Sequence, residues 1–134
     1  MKIVLDANIF ISSFFWGGNP KKVIERVISG IDELFITKEI LNEIDSVIRR
    51  PKFHVENDKI NYFINSIEEI GNIITPQKLV INGSRDRTDN KYIECGITVN
   101  AEYIISGDIH LLELKKYKNI KIVKAKDYLD LVIF

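Results

Sequence analysis

The chain has 134 residues, 46% hydrophobic and 28% charged, which is typical of one globular domain and excludes a disordered or fibrous protein. Nineteen basic side chains balance nineteen acidic ones, so a polyanion partner would have to be held by local patches or by a bound cation. The single cysteine, Cys95, excludes an internal disulfide and a thiolate zinc site and favours an intracellular, cytoplasmic protein. We expect no signal peptide and no membrane span.

Short apolar runs alternate with helical patterns along the chain. The prediction in chain order is a strand at 2–5, a helix at 19–30, a strand at 34–37, helices at 37–50 and 58–70, a strand at 73–75, a helix from 89, a strand at 103–106, a short helix after 108, a strand at 120–123 and a short helix after 126. Each strand is apolar without clean alternation, as buried parallel strands are. This order predicts a single α/β domain over residues 1–134, with a parallel sheet of about five strands and helices on both faces.

Capping residues indicate where the helices begin and end. Asn19-Pro20 begins the first long helix and Gly30 ends it. Thr37 caps the second, which stops before Pro51. The apolar residues at helical spacing in the first helix, which we expect to be buried, are Val23, Ile24, Val27 and Ile28. The polar segment between the third helix and the fourth, 77–90, is predicted to be the longest loop.

Acidic residues follow two of the predicted strands. Asp6 comes directly after the strand at 2–5, and Asp108 comes shortly after the strand at 103–106. In an open parallel sheet, ligands bind at the carboxyl ends of the strands, near the point where the strand order reverses. Asp89 stands at a predicted helix start, which belongs to the same edge of the sheet. We therefore expect these acids to face one crevice.

The second helix offers a further acid, but its periodicity does not select one residue. Glu43 lies about 40° beyond one edge of the apolar face, Glu39 lies further round, and Asp45 borders the opposite edge. Each acid also has a structural interpretation, since Asp89 and Asp108 could be helix caps and Glu43 a solvated helix residue. Their convergence favours a functional interpretation.

Clustered carboxylates indicate a divalent cation. Acids brought to one edge repel one another and take up protons unless a cation offsets them. Oxygen ligands without cysteine or clustered histidine favour Mg²⁺ or Mn²⁺ over zinc, and such sites commonly serve phosphoryl chemistry. A receiver domain would need an acceptor aspartate after the third strand, where 73–76 has none. A haloacid-dehalogenase-like phosphatase would need an acid where Asn8 stands.

Four stretches of the sequence together resemble the PIN-domain nucleases. In order they are IVLDANIFISSFF, EILNEIDSVIRRPKF, DRTDNKYIECGITVNAEYIISGD and the LL that follows. The resemblance covers essentially the whole chain and is nearest to the VapC-like toxin components of toxin–antitoxin pairs. It implies that the metal-binding and catalytic acids are Asp6, Glu43, Asp89 and Asp108, with Asn8 and Ser12 supporting them. His110 is a departure, because relatives typically have a second aspartate there, in the pattern GDxDLL.

The resemblance also implies an activity and its partners. We expect an endoribonuclease that uses Mg²⁺ or Mn²⁺ to hydrolyse phosphodiester bonds of single-stranded RNA, a small antitoxin protein as inhibitor, and a homodimer. The alternative is a PIN fold that binds nucleic acid or protein without catalysis. The basic residues that could hold the RNA backbone, or could simply be solvated helix ends, are Lys21, Lys22, Arg49, Arg50 and Lys52.

Several aromatic and apolar residues fall outside these motifs. The aromatic run 14–16 could stack a base or contact a subunit, and for at least two of its members we favour packing in the core or a loop. Tyr62 and Tyr92 are expected at the edge of the core. The C-terminal residues 129–134 are either a final core helix, which we favour, or a dimer surface.

Overall fold

The fold is described from a computed structural model for residues 1–78 and 90–132. The elements in chain order are β1 (Lys2–Leu5), α1 (Ala7–Phe15), α2 (Gly18–Ile28), β2 (Glu33–Ile36), α3 (Lys38–Ile48), a 3₁₀ turn (Pro51–Phe53), α4 (Asn57–Ile70), β3 (Gly71–Ile73), α5 (Asn90–Val99), β4 (Tyr103–Ile105), α6 (Ile109–Leu112), β5 (Lys116–Tyr117), β6 (Ile120–Val123) and α7 (Ala125–Val132). The described helices include none that is both long and apolar enough to cross a membrane.

The strands form one sheet in the order β3-β2-β1-β4-β6-β5. All neighbouring pairs are parallel except β5 and β6, which are antiparallel. The α/β prediction is confirmed, and β5 is an additional two-residue edge strand. From β1 the chain first adds β2 and β3 on one side and then returns to add β4 and β6 on the other. The strand order therefore reverses between β1 and β4, which is where such sheets bind ligands.

The helix α1 was not expected from the sequence. Asp6 caps it immediately after β1, so no loop separates the strand from the helix. Ile9, Phe10 and Ile11 are all buried, and three consecutive buried residues hide the 3.6-residue period by which an amphipathic helix is predicted. Burial of three consecutive residues thus made the sequence of this short helix resemble an extended apolar run.

Three smaller predictions are wrong. The third strand is Gly71–Ile73, not 73–75, because α4 runs into it without a loop. Ile28, expected on the buried face of α2, is 64% exposed at the last turn of that helix. Tyr62, expected at the edge of the core, is 77% exposed on α4. For both side chains the helical spacing is correct, but no element covers that end or face of the helix in the described residues.

The core lies on both sides of β1 and β4. Helix α5 packs against β1, β2 and β4. A Cβ atom on Gly96 of this helix would lie 3.0 Å from Cδ1 of Ile120, so the glycine permits the close approach of α5 to the sheet. Phe14 and Phe15 pack against the core, which confirms the packing interpretation for two of the three aromatic residues, while Trp16 is exposed.

A buried ionic network joins the first residue, α2 and α7. Asp32 is buried and accepts hydrogen bonds from Arg26, at 2.8 Å, and from the hydroxyl of Tyr128, at 2.7 Å. The terminal ammonium of Met1 lies 3.3 Å from the same carboxylate. Tyr128 and Leu129 of α7 are buried, in agreement with a core helix, whereas Ile133 and Phe134 lie outside the described residues.

Candidate active site

Asp6 lies at the carboxyl end of the central strand and is only 3% exposed. Its backbone N–H donates to the carbonyl of Ile105, which ties the end of β1 to the end of β4. Its Oδ1 accepts a hydrogen bond of 2.9 Å from the N–H of Asn8, and its Oδ2 accepts one of 2.6 Å from the hydroxyl of Ser106. The side chain therefore caps α1 while facing the crevice between β1 and β4.

The environment of Asp6 disfavours its charge. Burial raises the pKa of this carboxyl; the hydrogen bonds from Ser106 and Asn8 act in the opposite direction, and the like charges of Glu43 and Asp108 raise it again. The pKa of Asp6 consequently lies above its usual value of 3.8. A cation near Asp6 would relieve this penalty.

Asp108 reaches the same place from the neighbouring strand. Ser106 follows β4, and its hydroxyl oxygen accepts a hydrogen bond of 2.9 Å from the N–H of Asp108 while its proton is donated to Asp6. The carboxylate of Asp108 caps α6 by accepting a hydrogen bond of 2.7 Å from the N–H of His110. One serine hydroxyl therefore fixes the spacing of two acids that are 102 positions apart in the sequence.

Glu43 is held to the site by contacts at both carboxylate oxygens. Its Oε1 accepts a hydrogen bond from the hydroxyl of Tyr92, and its Oε2 lies 3.0 Å from Nζ of Lys91. The hydroxyl of Tyr92 also accepts a hydrogen bond of 3.1 Å from the N–H of Ala7, the residue after Asp6. Burial, followed by the charge of Asp6, raises the pKa of Tyr92, so its hydroxyl keeps the proton that it donates.

The other two candidate acids of α3 have basic partners of their own. Asp45 forms an ion pair of 2.5 Å with Arg49, four residues along the same helix. Glu39 is paired with Lys78 at 3.1 Å, and both side chains are exposed. Glu43 is the acid of this helix whose charge acts on Asp6.

The structure accounts for the remaining predicted residues in different ways. Asp89 lies outside the described residues. Asn8 contacts Asp6 through its backbone N–H, and its side chain is not the group that makes this bond. Ser12 is half-buried in α1, and its carbonyl accepts a hydrogen bond from Trp16 at the end of that helix.

All five residues of the predicted basic patch are exposed, and one of them also joins two helices. Arg49 donates to Asn57 and Asn61 of α4 in addition to its pair with Asp45, so it joins α3 to α4. This network gives Arg49 a structural role. The other four members of the patch are Lys21, Lys22, Arg50 and Lys52.

The sequence analysis did not identify Ser106 or Lys91 as site residues. It placed Tyr92 at the edge of the core and assigned it no role in the site. A signal for Ser106 exists, because it is a hydroxyl residue between a buried strand and an acid. Lys91 and Tyr92 lie next to each other at the start of α5, where their contacts depend on how this helix packs near α3. That packing is not encoded in any local pattern.

The donor chemistry at this site fits a hard divalent cation. Asp6, Glu43 and Asp108 supply carboxylate oxygens, which Mg²⁺ and Mn²⁺ prefer. Within residues 1–78 and 90–132 no group of three or more acids, histidines or cysteines is arranged as a metal site. In the same part of the chain, Oδ1 of Asn90 and Nδ1 of His110 are buried without a hydrogen-bond partner. The described residues thus supply carboxylate oxygens but not a complete metal site.

Comparison with known proteins identifies the family. The family model of the PIN domain matches residues 2–110. The chain belongs to the PIN domain family. A search of curated proteins by sequence gives no match. The match of the family model confirms the resemblance that the motifs indicated.

Solved structures share this PIN-domain fold at low sequence identity. One is the crystal structure of VapBC2 from Rickettsia felis bound to a DNA fragment from their promoter, with 13% identity, a TM-score of 0.64, and coverage of 91% of this chain and 97% of that chain. Another is VapBC-1 from nontypeable Haemophilus influenzae, with 17% identity, a TM-score of 0.60, and coverage of 94% and 99%.

Proposed function

We propose that this PIN domain is a nuclease that uses Mg²⁺ or Mn²⁺ to hydrolyse phosphodiester bonds of single-stranded RNA. The observation that carries the proposal is the position of Asp6. It is buried at the point where the strand order reverses, under repulsion from Glu43 and Asp108, which reach it from α3 and from the end of β4. Carboxylates that repel one another do not stabilise a fold, whereas a site that binds a cation requires them close together.

Asp6, Asp108 and Asp89 would hold the cation, and Glu43 would complete this set or accept a proton from the attacking water. A divalent cation supplies polarisation of the phosphate and a more acidic water. Ser106 keeps Asp6 and Asp108 in register, and Tyr92 keeps Glu43 beside the start of α1. The exposed lysines of α2 and Arg50 and Lys52 would neutralise phosphates of the RNA backbone.

We further propose that the protein is the toxin of a toxin–antitoxin pair, inhibited by a small antitoxin protein, and that it forms a homodimer. Two solved structures with this fold are VapBC proteins, which supports the choice of partner. A short open reading frame next to the gene, encoding a small protein whose co-expression suppresses RNA cleavage, is the expected observation. Cleavage that persists with that protein bound would contradict the inhibitor assignment.

The chain offers two buried aspartates with opposite electrostatics for the test of the catalytic site. The pKa of Asp6 is raised. Desolvation would raise the pKa of Asp32 too, but hydrogen bonds from Arg26, Tyr128 and the terminal ammonium, with the charge of Arg26, lower it overall. Asp6→Asn should therefore leave thermal stability in EDTA unchanged or raise it, and should abolish both the Mn²⁺-induced shift in Tm and RNA cleavage. Asp32→Asn should lower Tm but retain cleavage.

Two results would decide against the proposal. Asp6→Asn protein that melts well below wild type in EDTA and still cuts RNA would show that Asp6 is structural. Wild-type protein that binds RNA but neither binds Mn²⁺ nor cleaves would favour the alternative, a PIN domain that acts as a binding module.

A further inference from the structure

Lys91 is a buried cation at the beginning of a helix. It is the second residue of α5, its side chain is 8% exposed, and its Nζ lies 3.0 Å from Oε2 of Glu43. The helix dipole is positive at this end and burial removes the ammonium from water, so this position is unfavourable for a cation without a counter-ion. The carboxylate of Glu43 offsets them.

Glu43 connects Lys91 with the other acids. Its second oxygen accepts a hydrogen bond from Tyr92, whose hydroxyl is also bound to the N–H of Ala7, next to Asp6. An ionised carboxylate has about four lone-pair positions on its two oxygens, so these two contacts leave room for another ligand. Lys91 therefore balances the charge of Glu43 and leaves lone pairs on the Glu43 carboxylate for a further ligand.

Lys91 also acts where the acids repel one another. Glu43 and Asp108 both act on Asp6 as like charges. A positive charge held at Glu43 reduces the net negative charge of the three acids. The ammonium of Lys91 thus supplies part of the positive charge that a divalent cation would supply when bound.

Building on the proposed nuclease function, we propose that Lys91 is an internal counter-cation that shares Glu43 with the divalent cation of the site. Without that cation, the Lys91–Glu43 ion pair reduces repulsion among the acids and stabilises the fold. With the cation present, Lys91 competes for the negative charge of Glu43 and weakens cation affinity. Lys91 is a positioning residue in this scheme, because it acts through Glu43 and not on the substrate.

The test compares Lys91→Met with Lys126→Met. Lys126 forms an exposed pair with Asp130 on α7, at 3.6 Å, and its replacement removes the same charge outside the acidic site. Lys91→Met should lower Tm in EDTA and should tighten Mn²⁺ binding, measured by calorimetry, by roughly tenfold because a competing charge has been removed. Lys126→Met should change neither quantity.

A purely structural lysine would give a different result. If Lys91→Met lowers Tm while Mn²⁺ affinity is unchanged or weaker, the counter-cation proposal is wrong and Lys91 only supports packing or the orientation of Glu43. If Lys91→Met does not fold in EDTA, Mn²⁺ should restore its folding, and Lys91→Gln, which keeps a hydrogen-bond donor, should show the same tighter binding. Failure of both variants to fold with saturating Mn²⁺ would also overturn the proposal.

The outcome for Lys91 can be separated from the outcome for the nuclease. If wild type binds Mn²⁺ and cleaves RNA, and Asp6→Asn loses both, the proposed function stands whatever Lys91→Met does. If wild type does not bind Mn²⁺, the proposed function and the competition at Glu43 fall together.

Discussion

The hydroxyl of Tyr92 is expected to stabilise the fold and to position Glu43, and Tyr92→Phe separates these two effects from packing. The ring is 1% exposed, and phenylalanine fills the same space, so the substitution creates almost no cavity. What it removes is one oxygen that accepts from the N–H of Ala7 and donates to Glu43. The change in stability therefore measures these two hydrogen bonds.

The magnitude follows from what each partner loses. The N–H of Ala7 lies in the first turn of a helix and would remain buried without an acceptor, which costs about 1–3 kcal/mol. Glu43 is one-third exposed and keeps Lys91, so water compensates for most of its loss. We expect a total near 2 kcal/mol, which in a domain of this size lowers Tm by about 5–10 °C. The assay is urea and thermal unfolding in EDTA, followed by Mn²⁺ titration.

Tyr128→Phe is a matched control for this prediction. Tyr128 is also fully buried, and its hydroxyl donates to a carboxylate, that of Asp32, but on α7 and away from the acidic crevice. Both variants should be destabilised, yet only Tyr92→Phe should weaken Mn²⁺ binding and RNA cleavage. If Tyr92→Phe retains wild-type stability and wild-type Mn²⁺ affinity, the hydroxyl does not hold Glu43. If both variants weaken Mn²⁺ binding equally, general destabilisation explains the effect.

Two further expectations concern acid stability and the departure at His110. The pKa of Asp32 is lowered in the fold, so the stabilisation of the fold by this carboxylate is complete above the usual pKa of 3.8. This stabilisation is lost as the pH falls from 3.8 towards the folded-state pKa. The difference in Tm between wild type and Asp32→Asn should therefore shrink between pH 7 and pH 3. His110 contacts Asp108 through its backbone N–H. His110→Ala should therefore change Mn²⁺ affinity by less than about tenfold, and a larger loss would identify the imidazole as a ligand.

The sequence predicted those features of the fold that depend on local patterns. The bounds of β1 and β6 were predicted to the residue. Asp6 and Asp108 were placed at the carboxyl edge of the sheet, because an acid that follows a buried parallel strand lies at that edge. The choice between Glu43 and Asp45 was left open by the helical wheel and required the resemblance to PIN domains. In the structure the two acids differ in their partners: Asp45 forms an ion pair with Arg49, while Glu43 accepts a hydrogen bond from Tyr92.

What could not be predicted depends on contacts between distant parts of the chain. Ser106 is separated from Asp6 by 100 positions, and only the pairing of β1 with β4 brings them together. Tyr92 has the spacing of a core residue, and its ring is indeed buried, but the role of its hydroxyl depends on where α1 and α3 meet α5. The antiparallel strand β5 has two residues, too few for any period to be detected.

Hydrogen bonds from Ser106 and Asn8 partly offset the cost of the buried carboxylate of Asp6. Asp6 keeps a useful structural role as the cap of α1, so its replacement by an apolar residue would leave helix N–H groups without an acceptor. An asparagine would keep the cap and relieve the repulsion, and for stability alone it would be the better residue. The chain nevertheless has aspartate, with Ser106 donating to it and Lys91 balancing Glu43. This cost agrees with the proposed function, because a divalent cation prefers carboxylate oxygens as ligands.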